Sequence, residues 1–480
     1  MSLNSFHFVI YFAVLFVVMV MLQLLRKKSK GIGTAQLILL LAFSYFFILK
    51  SDWRFCFCVA AVTALTYVLA ILIERCEEKN GSKFWLIGGG GIALLGFLAY
   101  FKYTNFFINS FRQLIGKDTV ALKIILPLGI SFYIFSALAY LIDVYRGDYK
   151  AEKNILNFAL YIAFFAKLTA GPIVRGRDFF PQARNYRGVE IKAFEAGIQI
   201  FVFGLFKKIV LADHLGVFVD DVFFAPMAYN TGTVILAAIS YSLQIYFDFS
   251  GYSDMAIGIS KIMGFDFKPN FDLPYIAQNV SEFWKRWHIS LSSWFQDYLY
   301  IPLGGSRKGE ARTYLNLMIV MLLSGLWHGA GWTFILWGAL HGIASCVNKA
   351  VGKNLKALGK YVNILITFVF VTLFWVVFRA DTIGTALKVW AGMFTAHTGI
   401  NQPYTWSFVA VICLLIGTAV AFIHSRKIGL KDKRGDAVVD GFYSVMDLRK
   451  VWSLVVFFTF CGLTIILGYY GNAAFIYGAF

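Results

Sequence analysis

Two histidines stand in settings where an imidazole could move a proton. His328 closes the apolar run Met321-Leu-Leu-Ser-Gly-Leu-Trp-His-Gly-Ala330, with Gly325, Gly329 and Gly331 around it. An ionisable side chain at membrane depth is expensive to keep there and points to function by default. Burial disfavours the imidazolium, and the neutral ring that remains is a competent general base. The surrounding glycines would leave room for a substrate to approach. The plainer alternative is a histidine hydrogen-bonded between packed helices. His288 lies in Phe283-Trp-Lys-Arg-Trp-His-Ile-Ser290. Its neighbours describe an interfacial anchor equally well, with Lys285 and Arg286 meeting lipid headgroups.

The remaining titratable groups carry weaker signals. Asp248 and Asp254 interrupt the apolar stretch Tyr246-Phe-Asp-Phe-Ser-Gly-Tyr-Ser-Asp254. They could line a proton path or a substrate site, or could pair with lysines and arginines elsewhere. Asp143 with Arg146 fits a same-face pair on a helix. His7, His397 and His424 sit at expected membrane edges, and His214 follows Lys207, Lys208 and Asp213 at the end of a span. On one continuous helix His341 would stand ~220° round from His328, so the two would face apart and share no metal. The six cysteines mostly lie in or beside apolar runs and read as small packing residues. No G-x-S-x-G elbow, Walker loop or H-E-x-x-H motif is present.

What must position these groups is a bundle of membrane helices. Of 480 residues, 59% are hydrophobic and 15% charged, against roughly 25% charged in a soluble domain. Mean hydropathy is +0.68, and the 50 Phe suit long lipid-facing surfaces. Apolar runs predict spans near 6–25, 35–50, 53–73, 84–103, 121–144, 155–172, 198–212, 231–247, 314–327, 331–347, 361–379, 406–424 and 452–471. Several are short or interrupted, which predicts about eleven crossings plus re-entrant pieces, one of them ending at Gly171-Pro172. The fold class is all-α and polytopic, and with no internal repeat residues 1–480 read as a single membrane domain.

The segment 264–313 is polar and aromatic, too long for an ordinary connection and too rich in tryptophan to be disordered. Asn279 followed by Glu282 resembles a capping box. It predicts an interfacial helix over about 280–296 carrying Trp284, Trp287, His288, Leu291 and Trp294 near one face.

The net charge of +18 does not mark a nucleic-acid binder, because the basic residues sit in short loops between apolar runs. Arg26, Lys27, Lys28 and Lys30 form one such group, and Arg426, Lys427, Lys431, Lys433 and Arg434 another. Such loops face the cytoplasm and its anionic lipid, which places the N-terminus and the loop 380–405 outside.

At these residues the chain resembles the membrane-bound O-acyltransferase (MBOAT) family, in its bacterial branch serving alginate and other envelope acetylations and teichoic-acid D-alanylation. The matching stretches begin with Leu126-Pro-Leu-Gly-Ile-Ser-Phe-Tyr133, Asp143-Val-Tyr-Arg-Gly147 and Ala170-Gly-Pro-Ile173, and continue with Phe247-Asp-Phe-Ser-Gly-Tyr-Ser-Asp-Met255. Most specific are Glu282-Phe-Trp-Lys-Arg-Trp-His-Ile-Ser-Leu291, Asp297-Tyr-Leu-Tyr-Ile-Pro-Leu-Gly-Gly305 and Leu326-Trp-His-Gly329. Together they occupy a motif-bearing region of about 120–345. Where relatives commonly carry Arg before the Asp-Tyr-Leu-Tyr run, this chain has Gln296.

The resemblance implies the MBOAT fold, with His328 and His288 as the family's two signature histidines and His328 as the catalytic one. It implies transfer of an acyl group, foremost acetyl, from a cytoplasmic thioester towards a surface polysaccharide such as alginate, cellulose or peptidoglycan. The donor would be acetyl-CoA or an acyl-carrier-protein thioester, with no tightly bound cofactor and no metal. His328 would take the acceptor's proton. His288, a tryptophan N–H or amides near Gly325 would support the oxyanion. Trp287, Ser290 and Trp327 join Asp248 and Asp254 as substrate-path candidates. Arg175, Arg177, Arg307 and Lys308 could draw in a phosphate-bearing donor, although solvated or lipid-facing roles fit them as well. The expected partners are membrane lipid, an exported acyl-accepting or acyl-transferring protein and a carrier protein, in the bacterial cytoplasmic membrane. D-alanyl transfer to teichoic acid is the alternative within the chemistry. A proton-coupled transporter or export channel is the alternative outside it, although the paired half-repeats of such folds are missing.

Overall fold

The computed structural model describes residues 2–25, 31–76, 82–355, 358–428, 446–471 and 476. The loop cations Arg26, Lys27, Lys28, Lys30, Lys431, Lys433 and Arg434 lie outside the described residues, as do the side chains of His424, Arg426 and Lys427. In chain order the helices are α1 (Phe6–Leu25), α2 (Ile32–Leu49), α3 (Trp53–Arg75), α4 (Ser82–Leu114), α5 (Ile130–Arg146), α6 (Ile155–Ala163), α7 (Phe165–Leu168), α8 (Gly176–Arg184) and α9 (Ile191–Phe206). They continue as α10 (Asp213–Phe224), α11 (Thr231–Ile262), α12 (Val280–Arg286), α13 (Ile289–Phe295), α14 (Glu310–His328) and α15 (Trp332–Leu355). The last four are α16 (Lys360–Arg379), α17 (Ile383–Phe394), α18 (Thr405–Ile428) and α19 (Val451–Leu467). Among the described residues seven helices, α1 to α4, α11, α15 and α16, are long and apolar enough to cross a membrane. Three shorter apolar helices lie at Ile383–Phe394, Thr405–Gly417 and Val451–Leu467.

The chain divides into two compact units, residues 1–198 with 256–267, and residues 199–255 with 268–480. In the first, α1 to α4 turn large apolar side chains outward, among them Phe6, Val14, Leu24, Trp85 and Ile92. Such surfaces are tolerable only against lipid or a partner. By contrast, α5 is buried along nearly its whole length. It begins nine residues later than the expected span at 121, because Pro127 disfavours helical geometry before it and Gly129 adopts φ 68°. A Cβ at Gly129 would collide with the Leu168 carbonyl, so only glycine allows this approach.

The expected span 155–172 is interrupted. Asn154 caps α6 through its side-chain oxygen, and the helix stops at Phe164 after nine residues, about 14 Å of rise. That is too short to cross a ~30 Å hydrocarbon core, in keeping with a re-entrant piece. The Ser44 hydroxyl accepts the Phe165 N–H at 3.2 Å and satisfies the backbone at the break.

In the second unit α14 packs along α15, and α15 along α16. One glycine on each of α14 and α15 explains the closeness. A Cβ on Gly325 would strike the Phe334 carbonyl, and one on Gly338 the Met321 carbonyl. Room for a substrate is therefore not what Gly325 supplies; it admits the neighbouring helix. The stretch 380–405, read from sequence as an external loop, contains α17, capped by the Thr382 hydroxyl accepting the Thr385 N–H at 3.0 Å. At twelve residues it was too short to register as a span.

Candidate functional site

The helix expected over 280–296 is broken at its centre. Its start follows the sequence, since the Asn279 side chain accepts the Glu282 N–H at 2.9 Å. The reciprocal arm differs: Glu282 accepts the N–H of Gln278 rather than of Asn279. α12 then ends at Arg286, and His288 takes φ 42° before α13 begins at Ile289. Among the described residues only Leu273 shares this left-handed conformation without being glycine. It costs a side-chain-bearing residue of order 1–3 kcal/mol and persists only when the surroundings enforce it. Trp284, Trp287, His288, Leu291 and Trp294 therefore do not share a face of one continuous helix.

What enforces the break is the extended pairing of segment 270–272 with the residues on either side of it by two backbone hydrogen bonds. The Asp272 N–H donates to the Arg286 carbonyl at 2.9 Å, and the Ile289 N–H to the Asn270 carbonyl at 2.8 Å. Arg286 adds ion pairs to Asp272 at 2.9 Å and Glu282 at 3.0 Å. The Asn270 side chain reaches His288 Nδ1 at 3.2 Å and accepts from the Ser290 N–H at 3.1 Å and hydroxyl at 2.9 Å. Its amide nitrogen donates to Ser253 at 3.2 Å.

His328 ends α14, and Gly329 stops the helix in an extended conformation. The two histidines meet: their ring centroids are 6.5 Å apart, and both side chains are buried. Trp327 lies 5.8 Å from His288 and 5.0 Å from His328. Trp337 at 5.2 Å and Phe378 at 5.4 Å close the other sides of the His328 ring. Trp287 is fully buried against Phe271, Phe283 and Trp375, and its indole N–H has no hydrogen-bond partner among the described residues. Burial pushes the imidazole of His288, in the segment between spanning helices, down to about 3, so the ring is neutral at cellular pH. His341 lies on a different helix from His328, so the continuous-helix geometry does not apply; Trp337 stands between them, 4.7 Å from His341.

The two carboxylates of the 246–254 stretch have partners. Between α9 and α10 the chain runs as a π-helix from Lys207 to Ala212, a wider turn often retained at functional sites. It carries two adjacent lysines inward. Lys207 pairs with Asp254 at 2.7 Å, and Lys208 with both Asp248 and Asp213 at 2.6 Å. Asp248 also accepts the Ile476 N–H at 2.8 Å. Of the three readings open for Asp248 and Asp254, the pairing with cations is the one observed. Ser290 likewise spends its hydroxyl on Asn270.

The cationic candidates do not behave alike. Arg175 is buried in the first unit, whereas Arg177 there, and Arg307 and Lys308 in the second, are exposed. Gly325 lies inside α14, where the backbone ladder uses its amide, so it is no oxyanion donor. Sequence reasoning gave no role to Asn270, Lys207 or Lys208. The lysine pair within an apolar run carried a readable signal, since buried charge needs a partner. Asn270 carried none.

Residues 2–383 match the family model described as MBOAT, membrane-bound O-acyltransferase family. The chain belongs to that family. As an MBOAT protein it is a membrane O-acyltransferase, and the all-helical, many-span architecture agrees. It is 43% identical to the probable alginate O-acetylase AlgI of Pseudomonas putida over 366 residues, covering 75% of this chain and 74% of that one. The peptidoglycan O-acetyltransferase of Helicobacter pylori is 40% identical, with 68% of each chain covered. The teichoic acid D-alanyltransferase of Streptococcus thermophilus is 30% identical over 48% of this chain and 59% of its own.

Proposed function

We propose that this MBOAT protein moves an acetyl group from a cytoplasmic thioester across the cytoplasmic membrane for O-acetylation of an envelope polysaccharide. The observation that carries the reading is the pair His288 and His328, two buried rings 6.5 Å apart inside one aromatic enclosure. Neutral His328 removes the proton of an acceptor hydroxyl, whose oxygen attacks the thioester carbonyl. The tetrahedral intermediate then collapses to the ester and expels thiolate, which takes the proton back from His328. Base catalysis of this kind supplies roughly 10²–10⁴-fold, and positioning by the enclosure more. The buried Trp287 N–H is a candidate donor to the developing oxyanion.

Acetyl-CoA or an acyl-carrier-protein thioester is the donor class, and Arg307 and Lys308 are exposed cations suited to its phosphates. An exported acyl-accepting protein of the same pathway is the natural recipient outside. Two relatives named for O-acetyl transfer match over two thirds or more of this chain, and this favours acetyl over D-alanyl. Mass analysis of envelope polymers for ester-linked acyl groups, in wild type and His328→Ala, tests the reading. Loss of an acetyl ester supports it, loss of a D-alanyl ester moves the substrate to teichoic acid, and unchanged esters reject it.

A further inference from the structure

The bonds around Asn270 fix more than a backbone break. A backbone N–H can only donate, so the Asn270 side-chain atom 3.1 Å from the Ser290 N–H must be the amide oxygen. The same atom receives the Ser290 hydroxyl at 2.9 Å and faces His288 Nδ1 at 3.2 Å. The amide nitrogen, directed the other way, donates to Ser253. An amide oxygen cannot donate, so the hydrogen between it and His288 belongs to Nδ1. A neutral imidazole carries one N–H, and the partner of one nitrogen decides the state of the other. The lone pair therefore sits on Nε2.

We infer that Asn270 is a positioning residue that locks His288 in its Nδ1–H tautomer, presenting Nε2 to substrate as a hydrogen-bond acceptor and not as an oxyanion donor. The inference rests on the reading that His288 serves the reaction, and it fixes which of two roles the ring can take. The backbone of Asn270 shares the work, since its carbonyl accepts the Ile289 N–H at 2.8 Å and helps hold His288 at φ 42°. Asn270 is 1% exposed and His288 fully buried, so water does not compete for the bond.

The test uses full-length protein in lipid with 15N-labelled histidine, the His288 signals being assigned by their loss in His288→Gln. The wild type should show a lone-pair nitrogen at Nε2 and a protonated one at Nδ1; the reverse order overturns the inference. Asn270→Asp keeps an acceptor oxygen opposite Nδ1, so Nδ1 should stay protonated in that variant and it should acylate cell envelopes better than Asn270→Leu; a lone pair on Nδ1 in Asn270→Asp overturns the inference. Asn270→Leu removes that oxygen and should lower acylation by about 10–100-fold, the range typical when the orienting partner of a metal-bound histidine is lost. In that variant the His288 nitrogens should no longer show a single tautomer. Wild-type acylation by Asn270→Leu overturns the inference; if this variant does not fold, the wild-type spectrum and Asn270→Asp decide. Full acylation by His288→Gln, alongside an Nε2 lone pair in wild type, rejects the role of His288 in the reaction and leaves the tautomer assignment standing.

Discussion

His288 and His328 bring their ring centroids to 6.5 Å although one stands at a break between two short helices and the other ends a long one. Neither ring is held there by the other. Asn270 holds the first, and Trp327, Trp337 and Phe378 enclose the second. Replacing either imidazole should therefore cost chemistry more than fold. His328→Ala should lower envelope O-acylation by about 10²–10⁴-fold at unchanged membrane abundance. His288→Ala should lower acylation more than it lowers the yield of monodisperse extracted protein. Full acylation by His328→Ala would remove it as the base.

The buried His288 makes stability depend on pH. Its folded value lies near 3 and its unfolded value near 6.5, so between these the unfolded chain binds a proton that the native chain refuses. Its contribution is whole above about pH 6.5 and is lost as the pH falls towards 3. Melting of the extracted protein should therefore drop between pH 7.5 and 5 by more in wild type than in His288→Gln. Equal drops would mean that this ring is charged in the native state.

The lysine pair of the π-helix predicts a different pattern. Removing one partner of a buried pair leaves an uncompensated charge and costs about 3–5 kcal/mol, whereas removing both is often neutral. Lys207→Met alone should reduce the yield of folded protein, and Lys207→Met with Asp254→Leu should restore it. If the restored double variant also acylates, Asp254 is a structural partner. Restored folding without acylation would return it to the substrate path.

The glycines near His328 separate by what they face. Gly325→Ala forces a methyl against the Phe334 carbonyl and should destabilise by about 1–3 kcal/mol through overpacking. At Gly331 a methyl meets Phe334 at an ordinary 3.4 Å and should be tolerated. Thermal melting of both variants checks the contrast; equal melting would mean that α14 and α15 can separate at little cost.

Much of this protein is local and was therefore legible in the chain. Apolar length alone marks α1 to α4, α11, α15 and α16, because a bilayer demands that backbone polar groups be satisfied within each helix. The cap at Asn279 and the stop at Gly329 are likewise written within a few residues. The ordered motifs carried the family and both histidines. What no local pattern encodes is who meets whom. Asn270 becomes the partner of His288 only because segment 270–272 folds back on 286–290, and Lys207 and Lys208 find Asp254 and Asp248 only because a π-turn aims them inward. The break at His288 has the same origin. A left-handed histidine is locally unfavourable, so short-range preference predicts a continuous helix, and contacts distant in sequence supply the energy that overrules it.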